Sequence, residues 1–422
     1  MSMAHPPVFS CKRLIGGALG ALLLSTAFAD SMDHMMTGAL GSYPMSREAS
    51  GTSWQPDSST HGGIYAMTDD WMLMGHALFN GVYDWQQGPR GDTDTFLSGM
   101  VMGMASRHFD SGDTLQFRAM LSPEPLMGKS GYPLLLATGE TANGTTPLLD
   151  RQHPHDLFME LSAAYSHALS SEVSVFLYVG LPGEPAFGPP AFLHRLSILD
   201  SPEAPITHHW LDSTHISYGV VTTGFVHDTW KIEASRFRGR EPDQFRYNIE
   251  NGALDSTSAR LSWNPTREWS LQASWAHQVS PEQLEPTRDE NRVSASAIYT
   301  HQLAEHSLWS TTLAWGKRRS TDSQALNAYM LESALKPTEM WTVFARAERE
   351  RNNELGAPGP AQAAYLVGKI SFGAIRDFRI ADHVKIGAGA LYAFNFVPQT
   401  LAPLYGGTDP QGAMAFIRLK VE

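Results

Sequence analysis

Cysteine is almost missing from this chain. Its 422 residues include one, Cys11, which precedes an apolar run over residues 14–28. Lys12 and Arg13 stand before that run, and Ala27-Phe28-Ala29 closes it as a small-x-small site. Residues 1–29 are expected to be a secretory signal peptide. The mature chain then has no thiol, which excludes disulfides and cysteinate metal sites. Long apolar stretches are missing as well. After the leader none approaches the ~20 residues a spanning helix needs, and mean hydropathy is -0.24, so a helical membrane protein is excluded. Basic residues are the scarcer charge, 31 Lys and Arg against 43 Asp and Glu. Without Lys12 and Arg13 the formal net charge of -12 becomes -14. That balance argues against nucleic acid as a partner and is compatible with cationic cargo.

What is present divides into two stretches. Residues 30–70 have little periodicity and are rich in Met, Ser, Gly and His, beginning Ser31-Met32-Asp33-His34-Met35-Met36. They are expected to be an extended segment, periplasmic or folded into a lumen, and their thioethers and imidazole suit Cu(I). From Trp71 onward the pattern has period two. Trp71, Leu73, Ala77, Phe79 and Tyr83 share one parity, and Met72, Met74, His76, Asn80 and Asp84 the other. The same alternation returns at Leu115, Phe117, Ala119 and Leu121, at Thr257, Ala259, Leu261 and Trp263, and at Ala415, Ile417, Leu419 and Val421. Alternation with aromatics near both ends of the apolar face marks a membrane-crossing strand.

The connections decide between a soluble sandwich and a barrel. Short turns fall at 110–113, 170–171, 227–229, 264–267, 304–305, 336–338 and 376–381. Longer polar loops lie between them, at 84–94, 122–154, 182–214, 239–254, 279–290, 317–324, 349–362 and 397–410. Tight turns on one side and long loops on the other predict an all-β fold, a transmembrane antiparallel β-barrel of about sixteen strands over residues 71–422, with short periplasmic turns and long external loops. In hydrocarbon every backbone amide needs a partner, so the sheet must close on itself. A wet interior then explains the negative hydropathy.

On this pattern residues 71–422 resemble Gram-negative outer-membrane β-barrel proteins of the porin-like kind. The resemblance implies a place in the outer membrane, contact with its lipids, and a final strand at 414–422 read by the barrel-insertion machinery. That strand departs from the usual form by ending in Val421-Glu422 where an aromatic residue is common. The Met- and His-rich start resembles copper-resistance outer-membrane proteins.

Chemistry concentrates in two loops. Period two puts His153 and His155 on one side of their strand, with Asp156 on the other. His208, Asp212 and His215 are spaced four and three apart, so a short helical turn sets them on one face, with His194 and Glu203 in the same loop. His153, His155, His208, Asp212 and His215 are the predicted ligands, and such a set suits Zn²⁺ or Cu²⁺. Met100, Met102 and Met104 share one parity of their strand. They are expected to face lipid, since Met is a common apolar filler. Arg118, Glu160, Glu172, Arg236, Arg260, Arg346, Glu348, Arg418 and Lys420 are expected to line the lumen. The proline-rich stretches 183–190 and 202–205 are too stiff to flap, so a loop carrying them either constricts the pore or forms a binding surface.

The leading expectation is a porin-like channel or transport-associated barrel with a metal ion or small solute as cargo, copper or zinc as the only candidate cofactor, and no catalytic residue. A second class is a membrane-embedded hydrolase using Ser213 and His215 beside Asp212, although no Gly-x-Ser-x-Gly frames that serine. A third is a structural barrel without cargo.

Overall fold

The computed structural model describes residues 36–60, 62–321, 323–356 and 363–422. The signal peptide expected at residues 1–29, and Met32, His34 and Met35, lie outside the described residues. A short strand, β1 (Ile64–Met67), precedes β2 (Met72–Gln86), β3 (Thr93–His108) and β4 (Thr114–Leu121). A separate hairpin follows, β5 (Tyr132–Thr141) and β6 (Pro147–Gln152). The wall continues through β7 (Phe158–Ala168), β8 (Val173–Gly183), β9 (Ser217–His227), β10 (Trp230–Phe237), β11 (Ser256–Thr266), β12 (Trp269–Gln278) and β13 (Glu290–Ala304). It ends with β14 (Ser307–Ser320), β15 (Leu326–Thr338), β16 (Trp341–Asn352), β17 (Tyr365–Ala381), β18 (Val384–Phe396) and β19 (Gln411–Val421). Every wall neighbour is antiparallel, and β19 pairs back onto β2 from Gly412↔Gln86 to Val421↔Ala77, closing a barrel of 16 strands. No free edge remains along that seam, which is how a sheet survives in hydrocarbon.

Burial follows the alternation. Along β10, Lys231, Glu233, Ser235 and Phe237 point inward and the residues between them are exposed. Large apolar side chains cover the outside. Trp230, Trp263, Trp269, Trp309 and Trp341 stand exposed beside the short turns, while Tyr83, Trp85, Trp275 and Tyr329 are exposed toward the long-loop end. Two aromatic girdles around an apolar band place this wall in the outer membrane. The turn expected at 376–381 lies further on, because β17 runs to Ala381 and β18 starts at Val384. Arg236, expected in the lumen, does not line it. It shares the outward parity of β10 and binds the Leu254 carbonyl at 2.6 Å. Glu172 sits exposed in a periplasmic turn.

The interior is filled, not open. Residues 36–60 form a strap inside the periplasmic half. Its Thr52 hydroxyl donates to Glu233 at 2.6 Å, and Arg47 binds Asp57 at 2.7 Å. Ser58 donates to the Thr300 carbonyl at 2.6 Å. Gly51 (φ +53°) passes so close to Glu184 that an added Cβ would lie 2.6 Å from its Cβ, so this position needs glycine.

Two loops enter from the opposite end. The β5–β6 hairpin was expected in an external loop, yet every residue of β5 is buried. Leu136 takes a left-handed φ of 74° there, and its N–H donates to Asp150 at 2.7 Å. Asp150 also accepts from Tyr405 at 3.0 Å, which clamps the hairpin to another loop. The loop 184–216 crosses the lumen. Its Glu203 pairs with Arg346 of the wall at 3.0 Å and with Lys369. Its Arg195 is fully buried between Asp212 (2.6 Å) and Glu332 (2.8 Å). Isolated buried charges would be very costly, and these satisfy one another.

Candidate metal centre

The two inward loops meet. His153 and His155 lie just after β6, in the link to β7. His208 and His209 sit in a helical turn, His208–Leu211, and His215 in a single 3-10 turn, Ser213–His215. The His155 and His215 ring centroids are 5.1 Å apart, and so are those of His208 and His215. His153 stands 6.2 Å from His208 and 5.9 Å from His209. Five buried imidazoles thus form one cluster from two loops that are far apart in sequence.

The Nδ1 side of most rings is fixed. His155 Nδ1 is 2.8 Å from Glu124, and His208 Nδ1 is 2.8 Å from Asp212, one helical turn on. His215 Nδ1 donates to the Asp212 carbonyl at 2.7 Å. His153 Nδ1 lies 3.2 Å from Glu140. The Nε2 atoms of His153, His155, His208 and His215 are all buried without a hydrogen-bond partner. Buried imidazole nitrogens normally find one. A carboxylate or carbonyl behind Nδ1 with Nε2 left bare is the second-shell arrangement that orients a ligating histidine.

Asp212, expected among the ligands, stands behind them. Its carboxylate is shared by Arg195 and His208, and its carbonyl holds His215. Burial would raise its pKa, but Arg195 and His208 bring it well below the ordinary carboxylate value. Burial lowers His215 strongly, helped by the neighbouring His155 and His208, and lowers His208 against the pull of Asp212. Both rings are therefore neutral at pH 7, the ligating form. Burial opposes charge on His155 too, but Glu124 outweighs it and raises that pKa.

The sequence reading missed His209, Glu241 and Glu282, which bring one ligand atom each within 4.8 Å of one another. His209 Nδ1 is 3.6 Å from Glu241, an ion pair too long for a hydrogen bond. Burial pulls His209 down, yet Glu241 lifts it to about 9, and His209 in turn takes Glu241 down to about 2 against its own burial. The paired imidazoles of His208-His209 were the available signal. Glu203 points instead to Arg346 and Lys369, and His194 lines a different cavity.

Ser213 does not engage His215. Its hydroxyl accepts from Arg292 at 2.7 Å and donates to Glu241 at 3.3 Å. The hydrogen bond that would activate a serine nucleophile is not made.

No protein-family model and no curated protein matches this chain. Solved structures do. The porin OmpF of Salmonella typhi, in complex with daunomycin, is 11% identical over 84% of this chain and 99% of its own, with a TM-score of 0.53. An anion-selective porin from Comamonas acidovorans gives 10% identity over 83% of this chain and 100% of its own, with a TM-score of 0.47. OmpT of Vibrio cholerae gives 7% identity over 84% of this chain and 99% of its own, with a TM-score of 0.45. At these identities the likeness to OmpF speaks for the fold alone, and this chain has the fold of a porin.

Proposed function

We propose that this outer-membrane barrel is a transport-associated protein of porin-like design. Its lumen is closed by its own strap and loops, and it binds Cu²⁺ or Zn²⁺ in the imidazole cluster of His153, His155, His208 and His215. The observation that carries this reading is the group of four buried imidazole nitrogens without partners, each on a ring whose other nitrogen is anchored. Soluble neutral cargo gives no reason to bury such a set. A divalent transition ion does, because imidazole nitrogen is its favoured ligand in a site without thiolate. The acids behind the rings raise ligand basicity and offset part of the ion's charge. A channel that conducts small solutes freely fits less well, since the strap and the loop 184–216 fill the bore. Entry into the membrane through the barrel-insertion machinery is part of the same reading.

The test is metal content. Purified barrel dialysed against Cu²⁺ or Zn²⁺ is expected to retain the ion by mass spectrometry. The variant His155→Ala/His208→Ala/His215→Ala is expected to lose it while keeping the heat-sensitive gel mobility of a folded barrel. Equal metal in the two proteins would sink the reading.

A further inference from the structure

Eight methionines make a second cluster on the other side of the strap: Met45, Met72, Met74, Met100, Met102, Met104, Met120 and Met159, all buried. Met100, Met102 and Met104 were expected against lipid, and the register shows why they are not. Directly opposed residues of an antiparallel pair share a face. Met104 lies opposite Met74 and Met102 opposite His76, on the inward face of β2 that also carries Asn80 and Asp84. Across the next pair Met102 stands opposite Met120. The lipid side of β3 is left to Leu97, Gly99, Val101, Gly103 and Ala105.

Burial alone does not account for the residue type. Where the same strap packs against β7 to β10, the filling is Leu40, Tyr43, Trp54, Ala164, Phe176, Tyr178, Val220, Val226 and Phe237, without one methionine. That side leaves a cavity of about 10 Å³, whereas the methionine side leaves one of about 80 Å³. The larger space has room for an ion and several waters. It is bordered by Met74, Met100, Met102, Met104 and His76, and its lower rim is Lys420, Val421 and Glu422 at the periplasmic end. The carboxylates at its border are already engaged. Glu48 accepts from the Ala39 N–H at 2.6 Å, and Glu422 is paired with Lys385 at 2.7 Å. Gln116 donates to the Met104 sulfur at 3.1 Å and fixes its position.

We propose that this cavity is a separate binding site for a soft monovalent cation, Cu(I) or Ag(I), held by the thioethers of Met74, Met102 and Met104 with the imidazole of His76. Thioether sulfur is a poor ligand for Zn²⁺ and a good one for Cu(I). Directly opposed Cβ atoms are about 4.5–5.5 Å apart, so flexible methionine side chains from paired positions reach one ion. A smaller cavity of about 20 Å³ shares Leu78 and Met100 with this one and reaches His155. The thioether site therefore lies between the periplasmic rim and the imidazole cluster. It uses other residues than that cluster and stands or falls separately.

Ag(I), which does not change oxidation state here, is the probe. Full-length barrel in detergent is titrated with Ag(I), dialysed and assayed by mass spectrometry. The variant Met74→Leu/Met102→Leu/Met104→Leu conserves volume and is expected to fold, as its heat-sensitive gel mobility will report. Its Ag(I) affinity is expected to fall by ~10-fold or more. The triple alanine variant of His155, His208 and His215 is expected to hold Ag(I) as the parent protein does. Equal retention in the leucine variant and the parent overturns the site, and so does a parent that retains none. Loss in the alanine variant with retention in the leucine variant would assign the silver to the imidazoles and overturn the site as well.

Discussion

The strap has two sides, and they are filled differently. Toward β7 to β10 it is packed with rings: Tyr43 meets Trp54 edge to face at 5.1 Å, and the Arg47 guanidinium lies 4.7 Å from the Trp54 ring. Lys231 sits 4.9 Å from the same ring. Rigid aromatics in a gap of about 10 Å³ act as an anchor. Toward β2 to β4 the filling is flexible thioether around about 80 Å³ of space. The aromatic side holds the strap in place, and the methionine side provides a chamber. Both lie on the inward face of a barrel, where polar residues are the rule, so the departure on each side asks for its own reason.

The largest effect expected from breaking this comparison is on access. Cys11 is the one cysteine of the sequence, so Met102→Cys in a Cys11→Ser background would be the sole target. Removing residues 36–60 should speed labelling of that cysteine by an impermeant maleimide by roughly two orders of magnitude, because Met45, Glu48, Ala49 and Gln55 of the strap border its cavity and their cover is lost. The loop 184–216 still crosses the bore, so planar bilayers should stay without stepwise currents. Currents on removal of the strap alone would show that the inward loops do not seal.

A middle-sized effect separates anchor from chamber. Trp54→Ala should cost the seated strap ~3–5 kcal/mol, read as faster proteolysis at Arg47. Met104→Leu should cost less than ~1.5 kcal/mol. Equal release of the strap by both changes would remove the distinction.

The smallest effect is a pH dependence. His209 is raised to about 9 by Glu241, so its contribution to stability is complete below its unfolded value of ~6.5. It is lost as pH rises through 9. Glu241, lowered to about 2, contributes above ~4.5 and fails only toward 2. The difference in melting temperature between the parent and His209→Gln should therefore be greatest between about pH 4.5 and 6.5 and shrink by pH 9. A constant difference across that range would show that the pair is not what the imidazole contributes.

The wall was legible because a period of two in hydrophobicity and the alternation of turn lengths are local signals. Trp263 and Ser262 declare their faces without help from the rest of the chain. β3 was not legible in the same way, since both its faces are apolar. The hint was Ser98 and Ser106, which bracket the methionines on the same parity and are buried with them. The inward loops were harder, because length and polarity read as exposure. Leu134, Leu135 and Leu136 in the middle of such a loop, each 0% exposed, were the sign of an interior hairpin. His153, His155, His208 and His215 were found as residues. Their meeting depends on two loops folding toward each other, and that lies in tertiary packing such as Glu203 on Arg346. Glu241 and Glu282 carry no sequence signal of their own.

The seam between β19 and β2 ends at Val421↔Ala77, and β1 takes over the remaining edge of β2, from Ile64↔Gly75 to Met67↔Met72. The strap leads directly into that short strand. What is made early in synthesis is thus enclosed late, when the terminal strand zips onto the first one. Biogenesis has to coordinate the two: a barrel shut before its strap is inside would have to thread that segment back through the periplasmic mouth. Wall closure and the seat of the internal segment therefore meet on β2, completed by adjoining hydrogen bonds on one strand.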